Sequence, residues 1–495
     1  MLNVVVFLPL AVAAVLLALP RLGDRAVRWT WVGATATDLA LVIGLWVAYP
    51  DDAEYAYEVN HRWIPSVSSG YHIGVDGLSL PLVALTALLF LACAVYSLRE
   101  TRRVRAYAAL FLFLETVCLG LFVSLDLIVF FVFFDLSIVG MYFVIAGWGH
   151  RDAARAALKF FLYTFLGSLA LLLGFIGLYL AADPHTFDIV ELTRQNPLAD
   201  KGTMAVLVLL AIGVGLAVKT PTVPFHTWLP PAHTEAPAAG SAVLAGVLLK
   251  MGTYGFVRIA MPALPDTWRD YAMVIVVVGV VSVVYGALVA LAQRDFKRMI
   301  AYTSVNHMGY VVLGLGAAGV VASSISEARD LAVTGAVTQM VSHGLITGAL
   351  FLLAGALHER GGTYEMDRYG GLAGQAPRFA ALTALAAFAS LGLPGFSGFI
   401  AEFQIFTGSL GSAPVSTAIA FLGILITAAL FLRAVQQLLL GGFRSPTDGF
   451  RDLTASETAS IAPLMVLAVV IGVFPRFLLD LIEPASQAVN AILGG

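Results

Sequence analysis

Charged side chains are scarce in this sequence. Asp, Glu, Lys and Arg make up 12% of its 495 residues, where a soluble domain carries roughly 25%. That shortage excludes a soluble globular protein. With 59% hydrophobic residues and a mean hydropathy of +0.89, the chain reads as a polytopic membrane protein. Cysteine is nearly absent: Cys93 and Cys118 both lie in apolar runs and form no metal-binding or redox pair motif. A net charge of −3 offers nothing to attract nucleic acid. No hydrophilic stretch is large enough to hold a dinucleotide, and no G-x-G-x-x-G follows a strand. The first apolar run, Leu2 to Leu19, lacks a basic segment before it and a small-residue cleavage site after it. It is expected to be a retained span, not a signal peptide.

What the chain has in abundance is long apolar runs. At about 20 residues per span, 14 transmembrane helices are expected. They lie near 3–19, 27–49, 77–98, 106–124, 127–147, 157–181, 203–233, 236–261, 271–293, 297–319, 330–357, 379–410, 415–440 and 461–482. Loops on one side carry 18 Lys and Arg residues and those on the other, with the C-terminal end, carry 6. Positive charge stays inside, so the basic loops are expected in the cytoplasm and both termini outside. Two long outer loops, 50–76 and 182–202, suit surface hairpins or docking segments.

Two spans are too long and are interrupted. The seventh meets Pro221, Pro224, Pro230 and Pro231 after Lys219; the twelfth is broken by Gly392-Leu393-Pro394-Gly395 shortly before Glu402. Proline removes a backbone donor and clashes with the preceding turn. In lipid, non-helical backbone survives only inside protein or beside a watery cavity. The breaks are five spans apart, as expected if helices 4–8 and 9–13 are two copies. An odd number of helices per copy makes the copies inverted, the arrangement transporters use to build binding sites at broken helices. The expected all-α fold therefore divides into N-terminal helices 1–3 (1–105), a first repeat (106–261), a second repeat (262–440) and a C-terminal helix (441–495).

Most basic residues sit in loops, and Lys159 and Arg258 sit near span ends, where long side chains snorkel. Lys219 and Lys250 are too deep for that, and each such charge at the bilayer centre costs roughly 2.5–3.5 kcal/mol on insertion scales. Glu115 in the fourth span and Asp135 in the fifth are the available counter-charges. A nearby carboxylate favours a charged lysine and desolvation opposes it, so a lysine balanced between them can take up and release a proton. His307 and His343 lie within the tenth and eleventh spans, and imidazole exchanges protons near pH 7. Glu402 follows the second break. Glu115, Asp135, Lys219, Lys250, His307, His343 and Glu402 thus trace an expected proton relay within the membrane plane. Asp126, at a helix boundary, suits capping; Asp38, midway through the second span, has no evident partner.

At these positions the chain resembles a known family. Val218-Lys219-Thr220-Pro221-x-Val223-Pro224-x-His226-x-Trp228-Leu229-Pro230-x-Ala232-His233, Leu248-Leu249-Lys250, Ile300-Ala301-Tyr302-Thr303-Ser304-Val305-x-His307-Met308-Gly309 and Gly398-Phe399-x-x-Glu402-Phe403 are similar to the antiporter-like subunits of respiratory complex I, in their M-type branch. Subunits of multi-subunit sodium/proton antiporters are related. The resemblance implies that Asp135 stands at the family's fifth-helix glutamate and Lys219 at its paired lysine. It makes Lys250 the connecting lysine, His307 and His343 bridging histidines, Glu402 the outer half-channel acid and Glu115 the fourth-helix carboxylate. It also implies proton translocation driven by quinone reduction elsewhere, with no cofactor in this chain and with FMN, iron–sulfur clusters and quinone in partner subunits. The expected partners are other membrane subunits, lipid and protons. Aspartate in place of glutamate at 135 shortens the reach by one methylene.

Two other functions compete. A sodium/proton antiporter subunit would transport without electron flow. A membrane cytochrome would use His307 and His343 as axial haem ligands, which the crowding lysines and the single histidine pair disfavour.

Overall fold

Apolar runs bounded by Gly, Pro and charge become helices because lipid leaves backbone groups no other partner. The computed structural model describes residues 1–50, 54–320 and 326–494. Residues 51–53 of the expected 50–76 loop, residues 321–325 of the second repeat and Gly495 of the last segment lie outside these. Three helices precede the first repeat, α1 (Leu2–Ala18), α2 (Asp24–Val47) and α3 (Leu80–Tyr96). Next come α4 (Val104–Phe122), α5 (Leu127–Trp148), α6 (Ala153–Ala181), a short surface helix α7 (Ile189–Gln195) and the interrupted seventh span, α8 (Gly202–Lys219) with α9 (Leu229–Glu235). The eighth span runs as α10 (Ala238–Val243), α11 (Leu249–Gly255) and α12 (Met261–Ala263), joined by π-helical turns at 244–248 and 256–260.

The second repeat holds α13 (Pro265–Leu291), α14 (Phe296–Gly319), α15 (Ser326–Gly361), a turn of helix α16 (Leu372–Gln375), the interrupted pair α17 (Pro377–Ser390) and α18 (Ser397–Ser412), and α19 (Pro414–Leu439). Eleven helices of the described residues are long and apolar enough to cross a membrane. With α1, α14 and the α17–α18 pair, the crossings match the expected 14, and the chain is a multi-pass membrane protein. The middle of α15 is buried throughout and forms the central post of the bundle.

The C-terminal end departs from expectation. The span placed at 461–482 is instead α20 (Ala455–Val473), which stops before Pro475, followed by a separate amphipathic helix α21 (Arg476–Gly494). Proline cannot continue a helix whose carbonyl it would strike. Leu478, Ile482 and Val489 of α21 are buried, and Asn490 Nδ2 donates to Asp330 Oδ1 at 2.7 Å, tying α21 to α15.

The loop between α2 and α3 forms the expected hairpin, β1 (Ala56–Ile64) antiparallel to β2 (Ser69–Val75). Asp126 caps α5 by accepting from Ile128 N and Val129 N at 2.8 and 3.1 Å, and also accepts from Ser69 Oγ at 3.0 Å. His72 of β2 is gripped between Asp188 (2.6 Å) and Glu58 (2.8 Å). Burial opposes its imidazolium, but the hydrogen bonds and charges of Asp188 and Glu58 outweigh burial and hold it above its usual value.

Candidate functional site

The two breaks expose backbone groups, and the fold answers each locally. After α8, the Thr222 amide donates to the Ala217 carbonyl at 3.1 Å and the Val223 amide to Ser282 Oγ at 3.0 Å, while the indole of Trp228 reaches the Val218 carbonyl at 2.9 Å. After α17, the freed Ser390 carbonyl is instead met by Nε2 of His307 at 3.1 Å. Broken helices in a low-dielectric interior need such partners. At the second break the partner is one of the expected relay residues.

Lys219 is the last residue of α8 and is buried. Its ammonium donates to Ser137 Oγ at 2.8 Å and lies 4.7 Å from the centre of the Phe134 ring. Asp135, on the same turn of α5, acts on Lys219 electrostatically without a direct ion pair. Among the described residues Asp135 Oδ1 has no hydrogen-bond partner, while the carboxylate is bonded by the Ser168 hydroxyl of α6.

Lys250, on α11, is fully buried. Its Nζ lies 2.6 Å from the Ala245 carbonyl and 2.6 Å from His343 Nδ1. The π turn just before α11 shifts the carbonyl register so that Ala245 O points along the lysine stem. The lysine reaches α15 because Gly246 and Gly344 pass backbone against backbone: a Cβ on Gly344 would stand 2.8 Å from the Gly246 carbonyl.

From His343 the line continues. The rings of His343 and His307 have centroids 5.4 Å apart, and His307 Nε2 lies 3.8 Å from Glu402 Oε1. A cavity of about 10 Å³ lies among His307, Gln339, Ser342, His343, Ser390 and Glu402, about what one water needs. Among the described residues, His343 Nε2 and His307 Nδ1 are buried without partners. Gly392 has φ +72° and packs on the Glu402 carboxylate, so the break itself shapes the pocket of the last acid.

Of the seven expected relay residues, the structure joins four in sequence, Lys250, His343, His307 and Glu402. It places Lys219 with Asp135. Glu115 stands apart, on α4, where the ionisable group acting on it is Asp38 and not Lys219. Arg258 does not snorkel. It is buried, donates to Asp76 Oδ1 at 2.5 Å and holds Tyr254 and Tyr55 through hydrogen bonds at 2.9 and 3.2 Å. Lys159 is exposed, as snorkelling requires.

Three residues escaped the sequence reading. Lys297, counted among loop charges, is buried with its ammonium 2.5 Å from the Ala236 carbonyl at the end of α9. His233, inside the proline-rich motif, is buried with both ring nitrogens unpartnered and stacks on Phe351 at 4.4 Å. It feels Lys250 and Lys297 both, so it stands between the membrane interior and the loop side. His226 is the third, buried against Tyr285. A histidine among five prolines was the available signal.

A helical bundle with two interrupted spans and a buried lysine–histidine–glutamate line defines the antiporter-like class of membrane proteins. The family model described as NADH:quinone oxidoreductase/Mrp antiporter, transmembrane, matches residues 124–427, and the chain belongs to this family. Subunit M of NADH-quinone oxidoreductase from Rickettsia bellii is 38% identical, with 97% of this chain and 96% of that protein covered. F(420)H(2) dehydrogenase subunit M from Methanosarcina mazei is 36% identical, covering 100% and 98%. A chain of respiratory complex I from Thermus thermophilus superposes with a TM-score of 0.90 at 31% identity, covering 100% of both chains. A chain of the Mrp complex from Dietzia shares the fold, with a TM-score of 0.86 at 22% identity over 99% of each chain.

Proposed function

We propose that this chain is the M-type proton-translocating membrane subunit of an NADH:quinone oxidoreductase. The observation that carries the reading is the line of neighbouring groups Lys250, His343, His307 and Glu402, joined by a 2.6 Å hydrogen bond, a 5.4 Å ring-to-ring approach and a 3.8 Å approach, and preceded by Lys219 with Asp135. Each group can hold a proton, all but the partly exposed Asp135 are buried, and the cavity at the far end has room for one water to hand the proton on. Quinone reduction in other subunits drives the transfer. FMN, iron–sulfur clusters and quinone belong to those subunits, and this chain contributes protonatable side chains only. Its partners are neighbouring antiporter-like membrane subunits. It lies in the bacterial inner membrane with both termini outside, as the loop charges favour. The repeats take residues 106–261 and 262–440, and Lys250 links them.

The test is proton pumping by the whole complex in sealed vesicles, started with NADH and followed as internal acidification. Lys219→Ala and Lys250→Ala are expected to abolish most of it while NADH binding persists. Normal pumping by both variants would overturn the reading. The sodium/proton antiporter remains the second reading, favoured by the shared fold with the Mrp chain. Sodium uptake into vesicles without electron flow would establish it in place of the first.

A further inference from the structure

Glu115 and Asp38 are left out of the line just described, and both are fully buried. Among the described residues, all four of their carboxyl oxygens lack a hydrogen-bond partner. A buried acid without a donor is costly, and two of them facing each other are costlier still if both are ionised.

The helix register brings them to one level. Trp31 of α2 packs on Tyr107 and Phe111 of α4, with ring centroids 5.8 and 5.4 Å apart. Both helices cross in the same direction, being the second and fourth of alternating spans. Asp38 lies two turns beyond Trp31, and Glu115 one turn beyond Phe111 and two beyond Tyr107. The apposition that joins the aromatic rings therefore carries on to the two carboxyls, and Asp38 is the ionisable group acting on Glu115. The other ionisable neighbours are the thiols of Cys93 on α3 and Cys118 on α4. Cys118 shares the face of Glu115, three residues on, and feels Glu115 and Lys219 together. The acid pair thus stands one side chain removed from Lys219.

We propose that Asp38 and Glu115 share a proton in a carboxyl–carboxylate hydrogen bond between α2 and α4, and that this pair is an additional proton-holding site feeding the Lys219 end of the pathway. The protonated oxygen donates to the ionised partner, which gives two otherwise orphaned groups the short, charge-assisted bond such pairs form. When Lys219 gives up its proton, the pair is a buried reservoir behind Asp135 that can replace it. This inference rests on the proton-translocating reading above.

The test uses the complete complex in infrared difference spectroscopy with hydrogen–deuterium exchange, comparing wild type with Asp38→Asn, Glu115→Gln and the double variant. A protonated carboxyl band is expected in wild type and is expected to be lost or shifted by either single change. The double variant is expected to add nothing beyond the larger single effect. NADH-driven proton pumping is expected to fall several-fold in each single variant, and Asp38→Glu, which keeps a carboxyl, is expected to retain both band and pumping. Assembly is checked by subunit content, and Asp38→Glu keeps the question answerable should Asp38→Asn not assemble. Two independent, additive bands, no band at all, or unaltered pumping in both single variants would overturn the proposal. Lys219→Ala separates it from the parent reading. Pumping lost in Lys219→Ala but normal in Asp38→Asn and Glu115→Gln removes only the acid pair, whereas normal pumping in Lys219→Ala removes the pathway and with it the pair's role.

Discussion

The ammonium of Lys250 and Nδ1 of His343 are 2.6 Å apart, although 93 residues separate them in the chain. A lysine donating to Nδ1 needs that nitrogen unprotonated, so the hydrogen of the neutral ring sits on Nε2, which has no partner. One proton therefore lies between the two groups. It can move onward only if His343 passes its other hydrogen towards His307, whose ring centroid is 5.4 Å away. The two residues act as one unit.

Such a unit gives a non-additive mutant pattern. Lys250→Ala and His343→Ala are each expected to slow NADH-driven proton translocation by on the order of tenfold or more, equivalent to ~1.4 kcal/mol on the barrier. The double variant is expected to be no slower than the worse single one. Initial rates of vesicle acidification measure all three. Multiplying effects would mean that the 2.6 Å contact carries no proton.

Asp135 gives the opposite expectation, a gain. Its carboxylate influences Lys219 from a distance while Ser137 takes the hydrogen bond. Asp135→Glu extends the acid by about 1.5 Å, one carbon–carbon bond, towards a lysine that has no ion-pair partner. Pumping is expected to persist or rise with Glu and to fall with Asn, read from the same acidification rates. Asn pumping at the wild-type rate would remove Asp135 from the pathway.

The spans, both breaks and the deep charges were legible in the sequence because lipid permits so few backbone solutions that proline and glycine clusters stand out. Pairings were not. Arg258 reaches Asp76 across 182 residues, and only packing shows that the cation is held inside instead of snorkelling. Lys297 looked like one of three loop cations with Arg294 and Arg298, yet the fold turns it inward onto the carbonyl at the α9 end. Asp38 had no visible partner because its partner lies on a helix reached through register alone. The α20–α21 break was visible as Pro475, but apolar residues on both sides made it read as one span.

Outside the membrane, the clamp on His72 sets a pH dependence for the outer hairpin. His72 is held above its ordinary value of 6.5, so its contribution is complete below that value and is lost as pH rises through the folded-state value. Asp188 is buried, which alone would raise it, but the bond from His72 and the Glu191 amide hold it below its ordinary 3.8. Its contribution is complete above that and is lost only as pH falls through the lowered value. The hairpin is therefore expected to dock most firmly between the two ordinary values and to loosen on the alkaline side. Amide exchange over residues 56–75 of the whole complex, corrected for intrinsic rates, is expected to quicken from pH 6 to pH 8.5. His72→Gln is expected to exchange faster throughout and to lose the dependence. A wild-type hairpin indifferent to this range would show that His72 does not hold it.

Gly392 links the second helix break to the acid behind it. Its φ of +72° suits glycine, and a Cβ there would press into the Glu402 carboxylate. Gly395, three residues on, has φ +96° but nothing within 4 Å of the same added atom. Alanine at either site therefore meets the same backbone penalty, about 1 kcal/mol or somewhat more, and only Gly392→Ala also displaces Glu402. Both variants are expected to lower the temperature of inactivation of the complex by similar amounts. Gly395→Ala is expected to pump near the wild-type rate once assembled. Gly392→Ala is expected to lose most of its pumping, because moving Glu402 opens the 3.8 Å approach to His307. If the two variants pump equally, the break does not position the acid, and Glu402 is set by α18 alone.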